Sequence, residues 1–115
     1  MKEEIKRILS DPIVIDGKTI PVAHMKYQGN ANTYIVWSML QEEPAFSAND
    51  TLLYTTCFVD IDIYTDNDYD AILTEIKRRM KAQDWAWLED SPEMYEDDTG
   101  LFHITATFIK EKYNG

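Results

Sequence analysis

The stretch "VDIDIYTDNDYDAI", residues 59–72, sets five aspartates in fourteen positions. Carboxylates at that density can hold a divalent cation, share protons as a general acid and base, or meet a basic partner. A calcium loop of the EF-hand type needs D-x-[DN]-x-[DN]-G and a bidentate glutamate at position twelve, the glycine for the sharp turn and the glutamate to close the oxygen shell. Counted from Asp66, the residues Asp68 and Asp70 fit, but Ala71 stands in place of the glycine and Lys77 in place of the glutamate. No metal site is expected. Asp66, Asn67 or Asp68 instead suits the start of a helix, where a side-chain oxygen accepts an orphan N–H, and Asp68 and Asp70 favour its positive end. Asp60 and Asp62 alternate with Val59, Ile61 and Ile63, which places them on the polar face of a strand, apart from the loop carboxylates. Two residues apart on one face, they need solvent or a basic neighbour, such as one from another subunit.

The remaining reactive residues form no catalytic pattern. His24 and His103 fall on separate predicted strands, with no serine or cysteine nucleophile motif nearby and no HExxH, CxxC or P-loop. Both read as structural. Cys57 is the only cysteine and sits in an apolar strand pattern, so it reads as a small core residue with no disulfide partner in these 115 residues. Trp85 and Trp87 bracket Ala86 in an extended spacing that can put both rings on one face, yet Asp84, Glu89 and Asp90 surround them. Stacking on single-stranded bases needs an electropositive groove. The pair therefore points to core packing or a subunit interface. Glu93, Glu96, Asp97 and Asp98 form a second acidic cluster, either a solvated loop or a strip facing basic protein or passing DNA. No enzymatic activity and no cofactor are expected.

Charge sharpens these exclusions. A net charge of −10 opposes a surface that grips phosphates, which requires a basic patch to release counterions. The same excess suits a basic protein partner or a surface from which nucleic acid must be repelled. The first residues, "MKEEIKRILSDP", mix charges of both signs and contain no apolar run of signal-peptide or membrane-span length, which leads to the expectation of a chain kept in the cytoplasm, without a membrane.

The elements that must position these residues follow from periodicity. Ile5, Ile8 and Leu9 predict a short helix over 2–10, stopped by Asp11-Pro12. Asp16-Gly17 predicts a type I′ hairpin turn between strands near 13–15 and 18–25, the second an edge or bulged strand because Pro21 lacks an N–H. "YIVWSMLQ" (34–41) reads as a strand and "EEPAFSAND" as a loop exposing Ala45 and Phe46. The longest strand covers 51–65, with Leu53, Cys57, Val59, Ile61 and Ile63 on one face. An amphipathic helix runs from Tyr69 through Ile72, Leu73, Ile76 and Met80 to about Gln83, its Lys77, Arg78, Arg79 and Lys81 favouring the dipole. Residues 84–100 read as an irregular acidic stretch, and 101–110 as a closing strand. The result is one α+β domain over 1–115, with a mainly antiparallel sheet and two helices packed on one face.

This order, with "YIVWSMLQEEP", "CFVDIDIYTDNDYDAI" leading into "LTEIKRRMKAQDW", and the closing "GLFHITATFIKEKY", resembles the small tail-completion proteins of long-tailed bacteriophages, the tail terminator or head–tail joining proteins. The resemblance covers nearly the whole chain and rests on layout. It implies a phage- or prophage-encoded structural protein of the virion tail, assembled in the bacterial host cytoplasm. It further implies a homo-oligomeric ring, a hexamer, that caps the finished tail tube, meets the tail-tube protein and the head-completion protein, and lets DNA pass ungripped. In that setting carboxylates lining the lumen repel phosphate. Asp66, Asp68, Glu96 and Asp97 are the channel-lining candidates, and Ala45, Phe46, Trp85 and Trp87 the subunit-interface candidates. The alternative is a monomeric acidic adaptor that presents residues 89–98 to a basic protein as a mimic of a phosphate row.

Overall fold

The computed structural model describes residues 2–46, 49 and 52–113. In chain order the elements are α1 (Lys2–Ser10), β1 (Ile13–Ile15), β2 (Lys18–Ile20), β3 (Val22–His24), β4 (Thr33–Phe46), β5 (Leu52–Thr65), α2 (Asp70–Ala82), β6 (Ala86–Asp90), β7 (Met94–Glu96) and β8 (Leu101–Tyr113). The class is α+β, as the periodicity predicts.

Asp16 and Gly17 take φ of 53° and 77°, the pair of positive values a type I′ turn demands, and they join β1 to β2 with Ile13 opposite Ile20. Pro21 divides the predicted second strand. Its first half stays in the hairpin, while Val22–His24 crosses to the main sheet and pairs in parallel with Ile35–Trp37. The main sheet runs β3-β4-β5-β8-β6, with β7 also on β8, and every pairing after the first is antiparallel.

Register assigns the two faces. Ile35, Ile63 and Ile104 lie in one row, Trp37, Ile61 and Ala106 in the next, and Met39, Val59 and Phe108 in a third. These rows meet Ile5, Ile8 and Leu9 of α1 and Ile72, Leu73, Ile76 and Met80 of α2 to form the core. Cys57 closes it, and burial pushes its thiol pKa up. The other face carries no helix.

Two corrections concern strands read as loops. Glu42–Phe46 continues β4 beyond a bulge, so Ala45 and Phe46 sit on a strand opposite Tyr54 and Leu52. Pro44 fits because β3 ends beside Trp37, which leaves this half of β4 as a free edge with no ladder bond for a proline to break. Ser47, Ala48 and Asp50 of the predicted loop, and Thr51 of the predicted strand, lie outside the described residues. The stretch 84–100 is likewise not irregular, because β6 and β7 lie within it.

Long β4, β5 and β8 project past the helices as a three-stranded arm, which gives the molecule its 53 × 28 × 23 Å extents. Two cations fix the helices to the other end. Arg79 donates to Ile8 O (3.2 Å), Asp11 O (2.7 Å) and Pro12 O (3.1 Å), serving carbonyls left over where α1 stops. Lys110 of β8 donates to Glu4 of α1 (2.6 Å) and to Gln83 O beyond α2 (2.9 Å). Helix α2 itself ends in a Schellman arrangement: Trp85 N–H bonds Met80 O and Asp84 N–H bonds Lys81 O, with Asp84 left-handed at φ 66°.

Candidate functional site

The helix-free face of the sheet gathers most of the groups able to do chemistry. Tyr34, Tyr64 and His103 stand opposite one another on β4, β5 and β8, and Tyr27 joins from the preceding loop. Their rings form a continuous stack, with centroid separations of 4.2, 4.7 and 4.1 Å from Tyr27 to His103. The Tyr34–Tyr64 and Tyr64–His103 contacts are cross-strand aromatic pairs of the sort that stiffen a sheet. Burial first, then Asp62 and Glu96, pushes the Tyr64 hydroxyl up to about 12, so it stays protonated at any physiological pH.

Below the stack lie the two aspartates of β5. Their partners come from this chain's own β8, so no neighbouring subunit is needed to supply them. Asp62 Oδ1 lies 2.8 Å from His103 Nε2 and accepts the Thr105 hydroxyl at 2.5 Å, while Asp60 Oδ1 accepts the Thr107 hydroxyl at 2.6 Å. The trio has the composition of a hydroxyl–imidazole–carboxylate relay but not its geometry. A relay presents one ring nitrogen to the acid and the other to the nucleophile. Here Nε2 faces both Asp62 and Thr105, the latter at 3.3 Å, and the Thr105 hydroxyl already points at the carboxylate. The arrangement holds strands together.

Burial raises the Asp60 pKa, with Asp62 and Glu89 adding to the effect and the Thr107 bond opposing it. A raised folded-state pKa means that ionisation costs stability above the carboxylate range and costs nothing below it. Asp60→Asn is therefore expected to raise the melting temperature at neutral pH, and the gain should vanish in acid; a lower melting temperature at neutral pH would contradict this assignment.

The four channel candidates lie toward one end of the sheet. Thr65 pairs with Phe102 and Glu96 with Leu101, which places Asp66 and Asp68 after β5 and Glu96 and Asp97 at the end of β7 at one end of the sheet, opposite the arm tip. Asp66, Asp68 and Asp97 are exposed and Glu96 is half-buried beside Tyr34 and Tyr64. Asp68 also works locally, accepting the Asp70 N–H at 3.0 Å as α2 begins, while Tyr69 occupies the cap position without a side-chain bond. Among the described residues, no group of three or more His, Cys, Asp or Glu is placed to hold a metal ion.

The interface candidates separate into two places and one of them needs correction. Phe46 is 57% exposed on the arm, with Ala45 half-buried beside it. Trp87 is 52% exposed on β6, but Trp85 is 2% exposed, packed in its own core with its indole N–H on Glu4 at 3.0 Å. The extended spacing does not hold because Trp85 belongs to the helix terminus and only Trp87 to the strand. Burial alone would raise the Glu4 carboxyl, and the Lys110 and Trp85 hydrogen bonds more than offset it. His24 stacks on Trp37 at 4.1 Å. Leu40 at the base of the arm and Leu52, Leu53 and Tyr113 on it are exposed and not among the interface candidates, although periodicity puts Leu53 on the apolar face of its strand. The signal available for them was a strand pattern of apolar residues longer than the helices could cover.

Comparison of the sequence with protein-family models and with curated proteins gives no match. Among the described residues no helix is long and apolar enough to cross a membrane.

Proposed function

We propose that this protein is a structural component of a phage or prophage tail, which forms a ring at the end of the tail tube, terminates tail assembly and joins tail to head. The observation that carries the reading is the arm. A domain of 115 residues extends two 14-residue strands and a 13-residue strand well past its helices, and it leaves Leu40, Phe46, Leu52, Leu53 and Tyr113 exposed there. An exposed apolar projection of this kind is a common mark of a protein–protein contact. The opposite end of the sheet carries Asp66, Asp68, Glu96 and Asp97, a placement that suits carboxylates turned toward passing DNA. In this reading the partners are further copies of the chain, the tail-tube protein and the head-completion protein. The test is the mass of the assembled species, expected at about six copies of the 13.4 kDa chain for a closed ring.

A second reading, an acidic adaptor acting as a monomer, draws on Met94 and Tyr95. They are 43% and 57% exposed amid Glu93, Asp97 and Asp98, a mixed acidic and apolar strip suited to a basic protein. A persistent monomer that captures basic proteins through this strip would favour it.

A further inference from the structure

The arm and the region around Trp87 are complementary, and they lie too far apart to meet within one molecule. On the arm, Ala45 stands opposite Tyr54, Phe46 opposite Leu52 and Tyr54 opposite Tyr113, so these side chains share one face. Glu43 stands opposite Thr56, on the face of Tyr54 and Leu52, and is exposed with no ion pair among the described residues. At the side of the core, Trp85, Ala86, Trp87 and Phe108 line a cleft of about 510 Å³ between Lys77 and Lys81, with Asp84 at its lip. Lys77 lies 4.5 Å from the centre of the Trp87 ring and bonds Asp90, whereas Lys81 is exposed and has no carboxylate partner among the described residues. Leu88, next to the cleft on the outermost strand, is 46% exposed. An apolar tip carrying an acidic residue thus has a counterpart in an apolar cleft flanked by lysines.

Reach decides whether the two can join in one chain. Trp87 pairs with Phe108 and Phe108 with Val59, seven residues from Leu52, which puts the tip about 23 Å beyond the cleft at ~3.3 Å per residue. A hydrogen-bonded three-stranded arm cannot fold back over that span without breaking its ladders. We infer that the arm tip of one copy docks in the Trp87 cleft of the next, so that Phe46 and Leu52 cover Trp87 while Glu43 approaches Lys81. Because the two surfaces differ, the contact is heterologous, and successive copies close into a ring when the rotation permits. This inference rests on the ring reading and names the interface it uses.

Complementation tests it. Phe46→Glu keeps a working cleft and Trp87→Glu keeps a working arm. Each variant alone is expected to run as a monomer by light scattering, with a melting temperature close to that of the wild type because both sites are exposed. Their equimolar mixture is expected to give a two-copy species and nothing larger, since only one productive contact can form. If Trp87→Glu fails to fold, Leu88→Glu takes its place. Where the wild type assembles only on the tail tube, co-sedimentation with the tube is the readout for the same variants. Wild-type assembly by either variant alone, or a mixture that stays monomeric, overturns the docking and leaves the ring reading intact. A wild type that stays monomeric at every concentration, with or without the tube, overturns both.

Discussion

Arg79→Ala is expected to lower the melting temperature by about 12 °C, a loss of about 3 kcal/mol. One guanidinium serves Ile8 O, Asp11 O and Pro12 O while its Nε bonds Glu75 at 2.7 Å, and its side chain is only 11% exposed. Alanine leaves carbonyls at the end of α1 without a donor and removes the polar tie between that helix and α2. Lysine restores the charge but not the planar fork, so Arg79→Lys should recover less than half of the loss. The same network predicts how the fold responds to acid. Hydrogen bonds from Arg78 and then Arg79 hold the Glu75 carboxyl at about 2, below its ordinary 4.5. Because the folded-state value is depressed, the stabilisation is complete above about 4.5 and is lost as pH falls through about 2. Thermal melts of wild type and both variants across that window check both statements. An Arg79→Ala melt within about 3 °C of wild type would show that the carbonyls find water as good a partner.

The second large effect follows from the proposed tail role and concerns passage of DNA. Lysine at Asp66, Asp68, Glu96 and Asp97 together is expected to preserve the fold and the ring but to reduce infectivity by on the order of tenfold or more, because each phosphate that finds a lysine releases counterions and is retained. The Asp68 change alone removes the acceptor for Asp70 N–H and should cost about 1 kcal/mol, so Asp68→Asn, which keeps an acceptor oxygen, is the stability control. Plaque counts and the extent of genome ejection read the effect, in a phage whose tail holds this chain. Unchanged ejection and infectivity would remove these four residues from the channel.

Much of the framework was legible in the sequence because it depends on local chemistry. The Asp16-Gly17 turn, the Pro12 stop and the apolar periods of α1 and α2 each act within a few residues, and each element appears where its pattern puts it. The arm was legible only in part. Glu42, Glu43 and Pro44 look like a loop when judged by propensity, but beyond the helices a strand has no buried face to impose alternation, and an edge tolerates proline. Residues 86–96 were hidden for a related reason, since β6 and β7 are short and take their shape from pairing with β8. What no local pattern carries is register. Asp62 meets His103 across 41 residues, and Arg79 meets Ile8 across 71, so the partners of the opening aspartates and the role of the basic helix end emerge only once the strands are aligned. Trp85 and Trp87 show the same limit from the other side: two residues of one type, two apart, assigned opposite burial by a helix terminus between them and the preceding turn.

The central proposal is that this chain is a ring-forming tail component, and solution mass tests it most directly. Light scattering across a concentration series, alone and with purified tail-tube protein, is expected to give a species of about six copies, formed either unaided or on the tube. A monomer that persists at every concentration and ignores the tube would contradict the account and favour the acidic adaptor.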